Sequence, residues 1–162
     1  MGDFVTRVFD PSMTLQDVDW IRGQWPGRVV IKGIQCLADA ELVTDAGVDG
    51  LVLSNHGGRQ VDLGSVPLEL LPVVVDRLGD RVEVLLDGGV MSGADVVGAV
   101  GLGARAVLVG RAYLYGLMAG GEAGVRRVLD ILDKEIRTTM QLIGARDLAE
   151  VRANGVRLRP IV

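Results

Sequence analysis

Cysteine and histidine are almost missing from this chain of 162 residues: each occurs once, as Cys36 and His56. A lone cysteine cannot close an internal disulfide, which points to a reducing compartment, and no cluster of Cys, His and carboxylates stands at metal-ligand spacing, so no metal is expected. Aromatic residues make up only 4% against 23 glycines, a balance that suits close-packed α/β layers with tight turns better than an aromatic-rich binding surface. A basic excess is lacking too. With a formal net charge of -4 the chain has little to hold a long phosphate backbone, and nucleic acid is not an expected partner, although one small anion could bind locally. Long hydrophobic runs are also absent. The opening MGDFVTRVFDPS has no apolar core of a signal peptide, and the most apolar stretch, from Val96 to Gly110, is glycine-rich and interrupted by Arg105. Neither export nor membrane spanning is expected, so the chain is assigned to the cytoplasm, with peripheral contact at the inner face of the cell membrane left open.

What is present is a repeated alternation. Four short β-branched runs, RVVIK (28–32), GLVLS (50–54), VEVLL (82–86) and RAVLV (105–109), read as buried parallel strands at intervals of roughly 20 to 30 residues. Between them LADAELVTDAG, PLELLPVVVDRLG and GADVVGAVGLG read as helices, each closing on a glycine. The segment 122–144 sets Val125, Leu129, Leu132, Ile136, Met140 and Ile143 three and four apart as one apolar helical stripe. The opening DPSMTLQDVDWIRGQWPG reads as a further helix, capped near Ser12 or Thr14 and stopped at Pro26. A βαβαβαβ order implies a parallel sheet with right-handed crossovers. Four strands are awkward in number, because a closed (β/α)8 barrel needs roughly 250 residues and an open four-strand sheet leaves two edges free to pair.

In such folds ligands sit at the carboxyl ends of the strands. There the sequence puts Lys32-Gly33, then Ser54-Asn55-His56-Gly57-Gly58-Arg59, then Asp87-Gly88-Gly89, and lastly Gly110-Arg111. Asp87-Gly88-Gly89 before SGAD, and Gly110-Arg111 one unit later, either make plain βα turns or present free N–H groups and a guanidinium to a phosphate. Lys32 needs an anionic partner, either a carboxylate such as Asp87 or an electron-rich cofactor ring. His56 is the one side chain here whose unperturbed pKa suits proton transfer near neutrality, and Arg59 could grip a substrate carboxylate beside it; the alternative is a hydrogen-bonded structural histidine. Tyr113 and Tyr115 read as helix residues packed against the barrel. Cys36, lacking a basic neighbour, reads as a buried or idle thiol.

Taken together, VIKGI, LVLSNHGGRQVD, LLDGGVMSGADV and LGARAVLVGRAYLYGLMAGGEAGV resemble the FMN-dependent α-hydroxy-acid dehydrogenase and oxidase family over nearly the whole chain. Within the family the sequence is most similar to bacterial L-lactate dehydrogenases. The resemblance implies FMN as cofactor and oxidation of an L-2-hydroxy acid, L-lactate foremost, to a 2-keto acid. It makes His56 the base, taking either the hydroxyl proton or the α-proton, and Arg59 the ligand of the substrate carboxylate. Lys32 would stand by the flavin N1 and C2 carbonyl and Ser54 would touch the flavin. Asp87, Gly88, Gly89 and Val90 would line the ribityl chain and phosphate, Met91 would sit where many members carry an arginine, and Gly110 and Arg111 would bind the phosphate. The fold implied is α/β, the C-terminal half (strands 5–8) of a (β/α)8 TIM barrel, with residues 1–162 forming one partial domain. The implied partners are a small-molecule 2-hydroxy acid and either a first half-barrel chain or a second copy; an inactive remnant and a noncatalytic flavin- or phosphate-binding half-barrel are the other outcomes. In family members the first half-barrel supplies the aspartate that orients the histidine.

Overall fold

A computed structural model describes residues 10–158; most of the opening MGDFVTRVFDPS, for which no export signal is expected, lies outside the described residues. The four β-branched runs form strands, shifted or trimmed by a residue or two: β1 (Val30–Ile34), β2 (Gly50–Leu53), β3 (Glu83–Asp87) and β4 (Ala106–Leu108). They pair side by side, all parallel, in the order β1-β2-β3-β4. Because each strand is added beyond the last, without the reversal of a doubly wound sheet, right-handed crossovers bring every connecting helix to one face. On that face Leu51, Leu53, Val84 and Leu86 are buried, packed in one core with Ala40 of α2 (Leu37–Asp45) and Leu71, Val74 and Leu78 of α3 (Pro67–Leu78). The side chains alternating with them point the other way, and of these Lys32, Leu85 and Asp87 keep access to solvent.

Helix α1 (Leu15–Gln24) precedes the sheet and starts at Thr14, whose backbone N–H and hydroxyl both donate to Asp17 Oδ2, at 2.6 and 2.8 Å. It ends before Pro26, as proline's restriction on the preceding residue requires. Cys36 departs from expectation: it is exposed and caps α2, its Sγ accepting from the Asp39 N–H at 3.4 Å. Its thiol is a capping group, because the chain leaves β1 there and the first amides of α2 need an acceptor.

After α4 (Gly93–Gly101) and β4, helix α5 (Arg111–Leu142) runs through a break at Gly120 and Gly121, the latter at φ +57. Tyr113 and Tyr115 lie in its first part as expected, but both are exposed. The residues buried there are Ala112 and Gly116, one turn apart, and the two tyrosines flank that line on either side. Beyond the break α5 folds over α4, where Ile136 and Met140 meet Val97, Val100, Ala145 and Val151. Only part of the expected stripe is covered: Leu132 is buried, whereas Leu129 and Ile143 are exposed. A short α6 (Leu148–Asn154), absent from the sequence reading, closes the described chain, with Asp147 accepting from the Glu150 N–H at 2.9 Å. Among the described residues no helix is long and apolar enough to cross a membrane, and no group of His, Cys, Asp and Glu could hold a metal ion.

Candidate active site

The register between β1 and β2 slips between Lys32 and Ile34, leaving Gly33 as an unpaired bulge residue at φ +104. A Cβ at that position would stand 3.1 Å from His56 Cε1. The bulge therefore has to be glycine for two reasons, its backbone conformation and the imidazole that approaches it. Lys32, just before the bulge, forms an ion pair with Asp87 at the end of β3. Of the two partners left open by the sequence, a carboxylate is the one supplied within the chain.

The buried β2 delivers the chain to Ser54, and a tight turn follows. Asn55 Oδ1 accepts from the Gly57 N–H at 3.0 Å and its Nδ2 donates to the Ser65 carbonyl at 3.4 Å, an Asx turn that bends the backbone locally. His56–Gly58 makes a single 3-10 turn. His56 is the non-glycine residue with positive φ among the described residues, at 54°, a conformation that L side chains rarely adopt and that concentrates at functional sites. From the start of α5 the Arg111 Nη2 reaches back and donates to the Gly57 carbonyl.

These elements enclose a cavity of about 300 Å³ at the carboxyl ends of the strands. Lys32, His56 and Arg59 line it, with Asp87, Gly88, Gly89, Val90 and Met91 from the β3–α4 connection and Gly110 and Arg111 from the start of α5. Ser54 does not line it: its side chain is fully buried beneath Lys32 and Asp87. Gln60 and Leu108 line the cavity and were missed. Leu108 pairs with Asp87 in the β3–β4 register, so it shares that residue's face, a signal that appears only once strand order is known. Three cationic side chains, Lys32, Arg59 and Arg111, line the cavity together with one carboxylate, Asp87, a local excess of positive charge in a chain of net negative charge.

The two helix N-termini near the cavity differ. At α4, Asp95 Oδ2 accepts from the N–H groups of Met91 and Ser92, at 3.0 and 2.8 Å, and from the Ser92 hydroxyl at 2.9 Å. The Ser92 hydroxyl accepts from the Asp95 N–H at 3.2 Å, and Glu135 of α5 accepts from the Gly93 N–H at 2.8 Å. Of the donors expected to be free at SGAD, the N–H groups of Ser92, Gly93 and Asp95 are thus occupied by the chain's own side chains. At α5 no side chain caps the first turn, whose N-cap is Gly110. Gly110 and Arg111 line the cavity there, and an uncapped helix start beside a guanidinium suits a phosphate.

The sequence profile of the family described as FMN-dependent dehydrogenase matches residues 1–158. The chain belongs to the FMN-dependent dehydrogenase family. A Mycobacterium tuberculosis protein with a provisional L-lactate dehydrogenase name is 56% identical over 165 residues, covering 99% of this chain and 40% of that protein. An L-lactate dehydrogenase of Caulobacter vibrioides is 53% identical over 143 residues, covering 88% of this chain and 37% of the relative. Among solved structures, a monotopic membrane protein, (S)-mandelate dehydrogenase, superposes with a TM-score of 0.90 at 39% identity, over 98% of this chain and 42% of the other. Mandelate oxidase bound to 3,3-difluoro-2-hydroxy-3-phenylpropionic acid superposes with a TM-score of 0.85 at 42% identity, over 90% and 44%. The chain therefore spans about two fifths of the length of these relatives.

Proposed function

We propose that the chain is the C-terminal half, strands 5–8, of an FMN-dependent L-2-hydroxy-acid dehydrogenase, and that it oxidises L-lactate to the 2-keto acid when a first half-barrel completes it. The observation that carries this reading is the convergence of His56, Arg59, Lys32 and the bare α5 N-terminus on one cavity. The singly wound strand order supports the half-barrel: in a (β/α)8 barrel consecutive strands add in sequence around one axis. The share of each relative that is covered, two fifths, supports a missing first half.

The donor set fits a flavin mononucleotide. Gly110, Arg111 and the α5 amides would take the phosphate, Asp87, Gly88, Gly89 and Val90 would flank the ribityl chain, and Lys32 would set a positive charge beside the ring. Bound FMN would supply a two-electron acceptor for the hydrogen on the substrate's α-carbon. Arg59 would hold the carboxylate in a two-pronged grip and fix which face of that carbon is turned inward. His56 would receive the hydroxyl proton as the carbon–hydrogen bond breaks and the carbonyl of the product forms. Met91, exposed at the cavity rim, leaves an apolar wall toward the substrate side. Cytoplasmic residence with peripheral membrane contact is part of the same proposal.

A second reading is a flavin-binding half-barrel without catalysis, in which His56 is held through its backbone, by Ser54 and Arg59, as a structural residue of the turn. One experiment separates the two. The chain is purified alone and together with the N-terminal half of the Caulobacter vibrioides relative, loaded with FMN, and mixed with L-lactate without oxygen. Bleaching of the flavin by the pair but not by the chain alone is the expected result, with His56→Gln keeping the flavin and slowing bleaching by at least about a hundredfold. A pair that binds FMN and never bleaches supports the second reading and sinks the first.

A further inference from the structure

We propose that Ser54 is a positioning residue, whose hydroxyl ties the His56 turn to the Lys32–Asp87 ion pair. A serine hydroxyl offers one donor and two acceptor sites, and here all are used. It donates to Asp87 Oδ2 at 3.1 Å and accepts from Lys32 Nζ at 3.1 Å and from the His56 backbone N–H at 3.1 Å. The side chain has no solvent exposure, so no water can replace a lost bond without the wall opening. One oxygen thus joins the ends of β1, β2 and β3, and the three groups it joins are the flavin-side cation, its counter-charge and the backbone of the base.

The bond to the His56 amide acts on the strained residue of the site. His56 holds φ at 54°, a conformation with little intrinsic preference, and its N–H is one of the few atoms through which the neighbouring structure can enforce it. Asn55 restrains the next residue through the Gly57 N–H, so Ser54 and Asn55 together fix two successive amides of the turn. Arg59 lies beyond the turn and is exposed. Loss of the hydroxyl is therefore expected to disturb the aim of the base far more than the grip on the carboxylate. This inference rests on the proposed function for the role of His56, but not for the geometry it concerns.

The test has two arms. In the flavin-free chain, amide hydrogen exchange is followed by NMR in wild type, Ser54→Ala and Ser54→Cys; the thiol nearly matches the hydroxyl in size but is a weak acceptor. Both variants are expected to speed exchange at His56 by about tenfold, with the β3 amides of Val84 and Leu86 unchanged. Should the alanine variant fail to fold, the better-filled cysteine variant carries the measurement. Wild-type exchange at His56 in either folded variant overturns the proposal, as does a cysteine variant that behaves like serine. In the second arm, the completed enzyme carrying Ser54→Cys is expected to lose about tenfold in kcat with KM for L-lactate within about twofold; an equal loss in KM would make the role structural. Absence of wild-type turnover would count against the proposed function alone, and the exchange arm would still decide the role of Ser54.

Discussion

Two consecutive βα units near the cavity look alike in sequence and differ in what they leave free. Asp87-Gly88-Gly89 leads into α4 and Gly110-Arg111 leads into α5, and either could be read as an anion site. At α4 the first-turn donors are taken by Asp95, the Ser92 hydroxyl and Glu135. At α5 the first turn has no side-chain cap and a guanidinium stands beside it. A helix dipole attracts an anion only where its amides are unspoken for, so the lesson is that glycine loops must be judged by what already fills them. The α4 turn is closed by its own side chains, with its glycines in the cavity wall; the α5 turn is where the proposed phosphate site lies.

The strongest way to break this comparison is Gly93→Ala. A Cβ there would meet Ile136 N at 2.3 Å and Glu135 Cβ at 2.5 Å, so α5 would have to lift from α4; a loss of about 3 kcal/mol in urea unfolding is expected. Next in size is Arg111→Ala. It should weaken FMN binding by about ten- to a hundredfold, the worth of a charge-assisted bond to phosphate, while thermal unfolding barely moves because the side chain is exposed. The smallest effect is expected from Ser92→Ala, which removes an N-cap hydroxyl and about 1 kcal/mol of stability, with FMN affinity read by fluorescence quenching unchanged. If Ser92→Ala weakened FMN more than Arg111→Ala does, the assignment of the two helix starts would be reversed.

Much of this was legible beforehand because it is local. The four strands follow from β-branched runs, and the residues after each strand follow by counting, so the candidate residues other than Ser54 fell around one cavity as soon as the strands paired in chain order. The Ser92–Asp95 capping box is also legible as a Ser followed three residues later by an acid, although the same letters read equally as a helix start with free amides. Other features had no local signal. Glu135 reaches Gly93 across 42 residues, and Arg111 reaches Gly57 across 54. The exposure of Tyr113, Tyr115 and Leu129 depends on where the sheet ends, since an amphipathic pattern marks a face without saying whether anything covers it.

By itself, the sequence determined the alternation of strands and helices and the chemistry stored at the strand ends, because hydrophobic period and turn residues act over a few positions. Tertiary structure alone decided which of those groups are free and which are tied. Ser54 illustrates the division: its place after β2 was plain from the letters, yet its bonds to Lys32 and Asp87, 22 and 33 residues away, exist only because parallel register brings three strand ends together. A hydroxyl has no fixed role until its neighbours are set, and in this fold they are set by strands that meet only after folding.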